Sequence, residues 1–160
     1  MSTEANKALV RRLYDEVLNG QHVEVVDELA TPDYEEHDPL PGQGPGREGL
    51  KSRVTMLLEG LSPRFTLHDV IAEADRVVVR WTNNATHSGT FLGIPPTGRT
   101  ASVAGIDIYR IDDNRIAEHW HVVDQLSMLQ QLQLTATRLI VTTASPHRTE
   151  RKTGEAPALR

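Results

Sequence analysis

Apolar residues recur at helical spacing up to Leu61 and in strict alternation after it, and that switch divides the chain. Ala5, Leu9, Val10, Leu13, Tyr14, Val17 and Leu18 form one stripe, which Ser2 or Thr3 can cap and Asn19-Gly20 stops. His22 to Ala30 predicts a shorter helix with Val23, Val26, Leu29 and Ala30 on one side, ended by Thr31-Pro32. Tyr34 to Asp38 reads as a short extended piece or loop. It leads into PLPGQGPG (39–46), whose Pro and Gly density predicts a mobile loop. Arg47 to Leu61 is the third helix, with Leu50, Val54, Leu57, Leu58 and Leu61 together.

From there β-branched runs take over: Phe65 to Ala74, Arg76 to His87, Thr100 to Ile111 and Arg115 to Val123, separated by turn-forming residues. Asp113-Asn114 suits a two-residue hairpin. Helices followed by a four-stranded antiparallel meander predict an α+β fold, a curved sheet wrapped around three N-terminal helices to leave a conical pocket. That domain is expected over 1–133. The tail, 134–160, loses periodicity and collects Thr, Pro, Lys and Arg, the pattern of a disordered end.

Composition narrows the function. At 160 residues the chain suits one domain. The absence of cysteine excludes disulfides, thiol nucleophiles and thiolate metal sites. A net charge of −5 disfavours nucleic acid as a partner. No run is apolar enough to span a membrane, and MSTEANK lacks the core of a signal peptide, so a cytoplasmic protein is expected.

The chemistry gathers in Arg115 to Leu132, RIAEHWHVVDQLSMLQQL. On a strand, His119 and His121 share one face and Trp120 the other. Asp124, at the junction with the following turn, either caps that turn or reaches back into the cavity. In Arg76 to His87 the odd positions Val77, Val79, Trp81, Asn83, Ala85 and His87 form the inward face, apolar with an Asn and a His at its far end. If Asp112 pairs with Arg115 across the hairpin, Ile106 lies opposite His121 and Ile108 opposite His119. Such apolar neighbours depress an imidazole pKa and leave a neutral base. In that register Asp107 shares the outer face with Trp120, so it meets His121 only through a bulge.

The segment ATHSGTFLGIPPTGR (85–99), with EHW at 118–120 and the preceding hairpin, resembles the SnoaL-like polyketide cyclases of the nuclear-transport-factor-2-like superfamily. The resemblance spans roughly residues 5 to 133 and implies a cofactor-free enzyme closing a polyketide ring by an intramolecular aldol reaction. In those cyclases an aspartate follows EHW as the proposed general acid/base. Here that position is His121, which preserves the class of role. His119 matches the EHW histidine, His87 the THxG histidine, and His37 a histidine on the strand before the third helix.

On this reading His121 removes a proton from an activated carbon. His119, with Asn83 or His87, holds the oxyanion, and Asp124 orients a histidine or acts as the acid. His37, Trp81, Asn83, His87, Ile106 and Trp120 contact the substrate, and the 39–46 loop is a lid. No metal and no cofactor are expected, since HxH without a tightly spaced third ligand is a weak metal signal. Packing explains the same histidines and tryptophans as core residues. Two other functions remain open: epoxide opening, with Asp124 and either Asp107 or His119 as the acid/base pair, and a non-catalytic binding module. In each case a sheet face carrying Trp120 and Tyr109 favours a homodimer.

Overall fold

A computed structural model describes residues 2–134. Helix α1 (Thr3–Arg12) starts at Ser2, whose side chain accepts a hydrogen bond from the Ala5 N–H at 3.2 Å. It continues without a break as a π-helical segment, Leu13–Asn19. The wider turn keeps Leu13, Tyr14, Val17 and Leu18 all buried against the sheet. A single turn of tighter helix (Val23–Val25) precedes α2 (Val26–Leu29), and α3 runs over Gly46–Leu61.

Five strands form one sheet in the order β1-β5-β4-β3-β2, with β1 Ala30–Glu36, β2 Phe65–Glu73, β3 Arg76–Thr86, β4 Thr100–Asp112 and β5 Arg115–Val123. The four-stranded antiparallel meander is as expected, and the sheet curves without closing around the N-terminal helices. β1 is the addition. Thr31-Pro32 does not merely end a helix: the chain turns into a strand at Ala30 and pairs parallel with β5, Glu36 in register with His119. The proline sits on an edge strand, where its missing N–H is tolerated. The tail expectation lies outside the described residues.

Alternation holds along β3, where Val77, Val79, Trp81, Asn83 and Ala85 are buried. Trp81 opposes Gly105 on β4, and a Cβ at that position would collide with the indole. Gly105 therefore leaves open the space that the Trp81 ring occupies.

The β4–β5 register corrects one expectation. Asp112 does pair with Arg115, but a bulge follows: Ile111 opposes Ile116 while Arg110 opposes Glu118, so Ala117 is the extra residue. A bulge inverts side-chain parity beyond it. His119 therefore lies opposite Tyr109 and His121 opposite Asp107, with Ile108 and Ile106 opposite Trp120 and Val122. Ile106 and Trp120 stand on the outer face, and Tyr109 is buried within.

Candidate active site

Between the inner sheet face and α3 lies a cavity of about 790 Å³. Its walls are apolar, supplied by Leu50, Val54 and Leu57 of α3 and by Phe65, Trp81 and Val103 of the sheet. Pro39, Leu40 and Pro41 of the 39–46 loop close one side, and Met128 and Leu129 of α4 (Gln125–Gln131) another. One end is polar: Arg53, Asp107, Tyr109, His119 and His121.

That polar end is a single network. His119 Nδ1 lies 2.8 Å from Glu36 Oε2, and its Nε2 lies 3.5 Å from Asp107 Oδ1. Its ring stacks on Tyr109 at 4.6 Å and on His121 at 5.3 Å. Burial opposes charge on His119, but the Asp107 and Glu36 carboxylates outweigh it and hold the imidazole up at about 9. This corrects the expected depressed histidine, because the bulge replaced two isoleucine neighbours with Asp107 and Tyr109. Asp107 accepts hydrogen bonds from the Tyr14 and Tyr109 hydroxyls. Burial disfavours its charge, yet His119 and Tyr14 draw its pKa below the usual carboxylate value. Burial likewise raises the pKa of both tyrosines, with the Asp107 charge adding to it, so they remain donors.

Glu36 serves both histidines. Its Oε2 also accepts from the Tyr34 hydroxyl at 2.9 Å and faces Arg53 Nη1 at 3.6 Å, and its Oε1 is 3.7 Å from His121 Nδ1. Desolvation works against its charge, but His119, His121 and Arg53 hold it ionised far below the usual range. Arg53 Nη2 lies 3.4 Å from His121 Nδ1, and the His121 backbone N–H donates to Asp38 Oδ2 at 3.1 Å. Buried His119 and Asp107 and partly buried Arg53 and Glu36 thus balance in charge, the condition under which such groups are tolerated away from water.

The remaining expected residues fall in different places. Asn83 lines the cavity with its Oδ1 taken by the Arg64 N–H at 2.9 Å, and Trp81 forms a wall. His87 is fully buried, with Nδ1 3.2 Å from Thr97 Oγ1, and it is not among the residues lining the cavity. His37 reaches the rim, but its ring stacks on Trp120 at 4.3 Å and its Nε2 meets Glu118 at 3.0 Å, on the outer side of the sheet. Asp124 caps α4, accepting from the Ser127 N–H at 3.0 Å, and is exposed. Of its two expected roles only the cap is realised.

No motif in the sequence marks Glu36, Arg53 or Tyr14 as functional. Alternation along β1 already places Tyr34 and Glu36 on the face opposite Glu35 and His37, and Arg53 falls at i+3 from Leu50 on the apolar side of α3. Glu36, His119 and His121 converge closely enough to hold a cation. The guanidinium of Arg53 already supplies a positive charge beside that carboxylate, which disfavours a divalent ion there.

An α+β cone with an apolar cavity ending in a network of acidic and basic side chains is an architecture of the nuclear-transport-factor-2-like kind. The SnoaL-like polyketide cyclase profile matches residues 8–132, and the chain belongs to that family. Aklanonic acid methyl ester cyclase DnrD of Streptomyces peucetius is 30% identical over 138 residues, covering 82% of this chain and 92% of the relative. Among solved structures, TsrD of Streptomyces laurentii superposes with a TM-score of 0.76 at 28% identity, covering 84% of this chain and 99% of that one. IdmH of Streptomyces antibioticus does so with a TM-score of 0.68 at 32% identity, covering 80% and 98%. No helix among the described residues is long and apolar enough to cross a membrane.

Proposed function

We propose that this chain closes a ring in a polyketide-like small molecule by cofactor-independent, intramolecular aldol-type chemistry, with His121 as the group that exchanges the proton. The observation that carries the reading is the position of His121 at the polar end of an otherwise apolar cavity, beside a carboxylate and a guanidinium. An apolar enclosure folds a hydrophobic substrate so that its reacting carbons meet, which supplies much of the acceleration. His121 takes a proton from the acidified carbon, the resulting enolate carbon bonds to the carbonyl carbon, and the same proton returns to the alkoxide oxygen. His119, held cationic between two carboxylates, stays as a fixed positive charge near the developing oxyanion. An epoxide-opening reading built on Asp124 lacks support, because that carboxylate caps α4.

The name of the Streptomyces peucetius relative makes aklanonic acid methyl ester the first substrate to try. Wild type and His121→Ala, both verified as folded, are incubated with such a keto ester and ring closure is followed by its absorbance change. Turnover by the wild type that drops about 100-fold or more in His121→Ala supports the reading. Turnover indifferent to His121 overturns it.

We further propose that the protein is cytoplasmic and that the partner on its outer sheet face is a second copy of this chain. Ile71, Val78, Ile108 and Trp120 align in one row across four strands, with Ile106 and Val122 beside them, 44% and 76% exposed.

A further inference from the structure

The Nδ1 atom of His121 has two neighbours of opposite character. Arg53 Nη2 is 3.4 Å away and Glu36 Oε1 is 3.7 Å away. A guanidinium has only donors and an ionised carboxylate only acceptors. When Nδ1 engages Arg53 it must be bare, so a neutral ring carries its proton on Nε2. When Nδ1 engages Glu36 it must carry the proton, so the Nε2 lone pair is free. Only the second form can accept a proton from a substrate at Nε2. The ring is therefore a base at Nε2 or not according to which neighbour holds Nδ1.

We propose that Arg53 and Glu36 select the tautomer of His121, with Arg53 holding the resting form and Glu36 the form competent as a base. This rests on the reading of His121 as the proton-exchanging group. Both are positioning residues, acting through the imidazole. In the competent form the substrate C–H proton moves to Nε2, giving an imidazolium with Nδ1–H on Glu36. After the carbon–carbon bond forms, Nε2–H returns that proton to the alkoxide and the ring is neutral again.

The selector is connected to the loop that covers the cavity. Arg53 Nη1 donates to the Asp38 carbonyl at 3.2 Å and to Gln43 Oε1 at 3.3 Å. Gln43 in turn closes the loop's own turn, its Oε1 accepting from the Leu40 N–H at 3.1 Å and its N–H donating to the Leu40 carbonyl at 2.9 Å. Leu40 and its flanking prolines form the cavity wall on this side. A substrate that displaces Leu40 pulls on the contacts that hold Arg53 against His121, and releasing Arg53 leaves Nδ1 to Glu36. Other polar groups around His121 do not compete: the ring of His119 faces it 5.3 Å away, and Asp38 is committed to its backbone N–H.

The test is the protonation site of His121, read by long-range nitrogen–proton correlation on protein with labelled histidine, without any ligand, at a pH where the ring is neutral. The wild type is expected to carry the proton on Nε2. Arg53→Met is expected to move it to Nδ1 and Arg53→Lys to retain Nε2. A proton that stays in place through all these changes overturns the selector, as does a wild-type ring already protonated on Nδ1. In turnover, Glu36→Gln is expected to lower kcat about 100-fold with little change in KM. Tautomer shifts as expected in a protein that does not cyclise the keto ester uphold the selector and defeat the cyclase reading. Turnover through His121 with an unmoving tautomer does the reverse.

Discussion

Glu36 Oε2 sits 2.8 Å from His119 Nδ1 because β1 runs parallel beside β5 with these two residues in register, their side chains on the same face. The pair joins the sheet edge to the cavity floor. With Asp107 on the other side of the ring, it makes His119 a buried cation between two anions.

Removing that cation leaves two buried carboxylates facing each other. His119→Ala is therefore expected to destabilise the fold by about 3–5 kcal/mol, the range for breaking a buried ion pair. Urea unfolding with tryptophan fluorescence reads it; a loss under about 1 kcal/mol is what a solvated, replaceable histidine gives.

The same clamp sets a pH window. His119 is raised from 6.5 to about 9, so its contribution is complete below pH 6.5 and is lost as pH rises through 9. Glu36 and Asp107 are lowered, so theirs is complete above their ordinary values of 4.5 and 3.8 and is lost as pH falls below them. Melting temperature is expected to form a plateau between these limits and to decline on both sides. In His119→Gln the alkaline decline between pH 7 and 9 should flatten, and an unchanged profile would reject the clamp.

Gly105 gives Trp81 its place. Gly105→Ala is expected to cost about 1–3 kcal/mol through the forced shift of the indole. Combining it with Trp81→Leu should recover most of that loss in a double-mutant cycle, whereas additive losses would assign the penalty to the β4 backbone.

Asp124→Ala removes a helix cap and should cost about 0.5–2 kcal/mol by thermal melting. Turnover of the keto ester should persist with a Michaelis constant close to wild type. A collapse of kcat in a folded variant would restore Asp124 as a reacting group.

The apolar row on the outer sheet face predicts association. Sedimentation velocity should give a dimer for the wild type and a monomer for Ile108→Glu combined with Val122→Glu, with ellipticity unchanged. A wild-type monomer at tens of micromolar would reject the second copy as partner.

The local elements were legible in the sequence because hydrophobic period and turn chemistry act over short range. The stripe from Ala5 to Leu18, the alternation from Val77 to Ala85 and the Asp113-Asn114 turn each specify an element without reference to the rest of the chain. The inward face of His119 and His121 was readable in the same way, and the quoted motifs at 85–99 and 118–120 pointed to the family. What surrounds those histidines was decided by tertiary structure. One extra residue, Ala117, shifted the β4–β5 register and exchanged isoleucines for Asp107 and Tyr109, reversing the direction of the His119 pKa. The parallel pairing of β1 with β5 brought Glu36 from the other end of the domain, and the packing of α3 delivered Arg53. A strand's own sequence specifies which side chains share a face. Which neighbouring strand they meet, and in what register, depends on pairings between distant segments that no local pattern encodes.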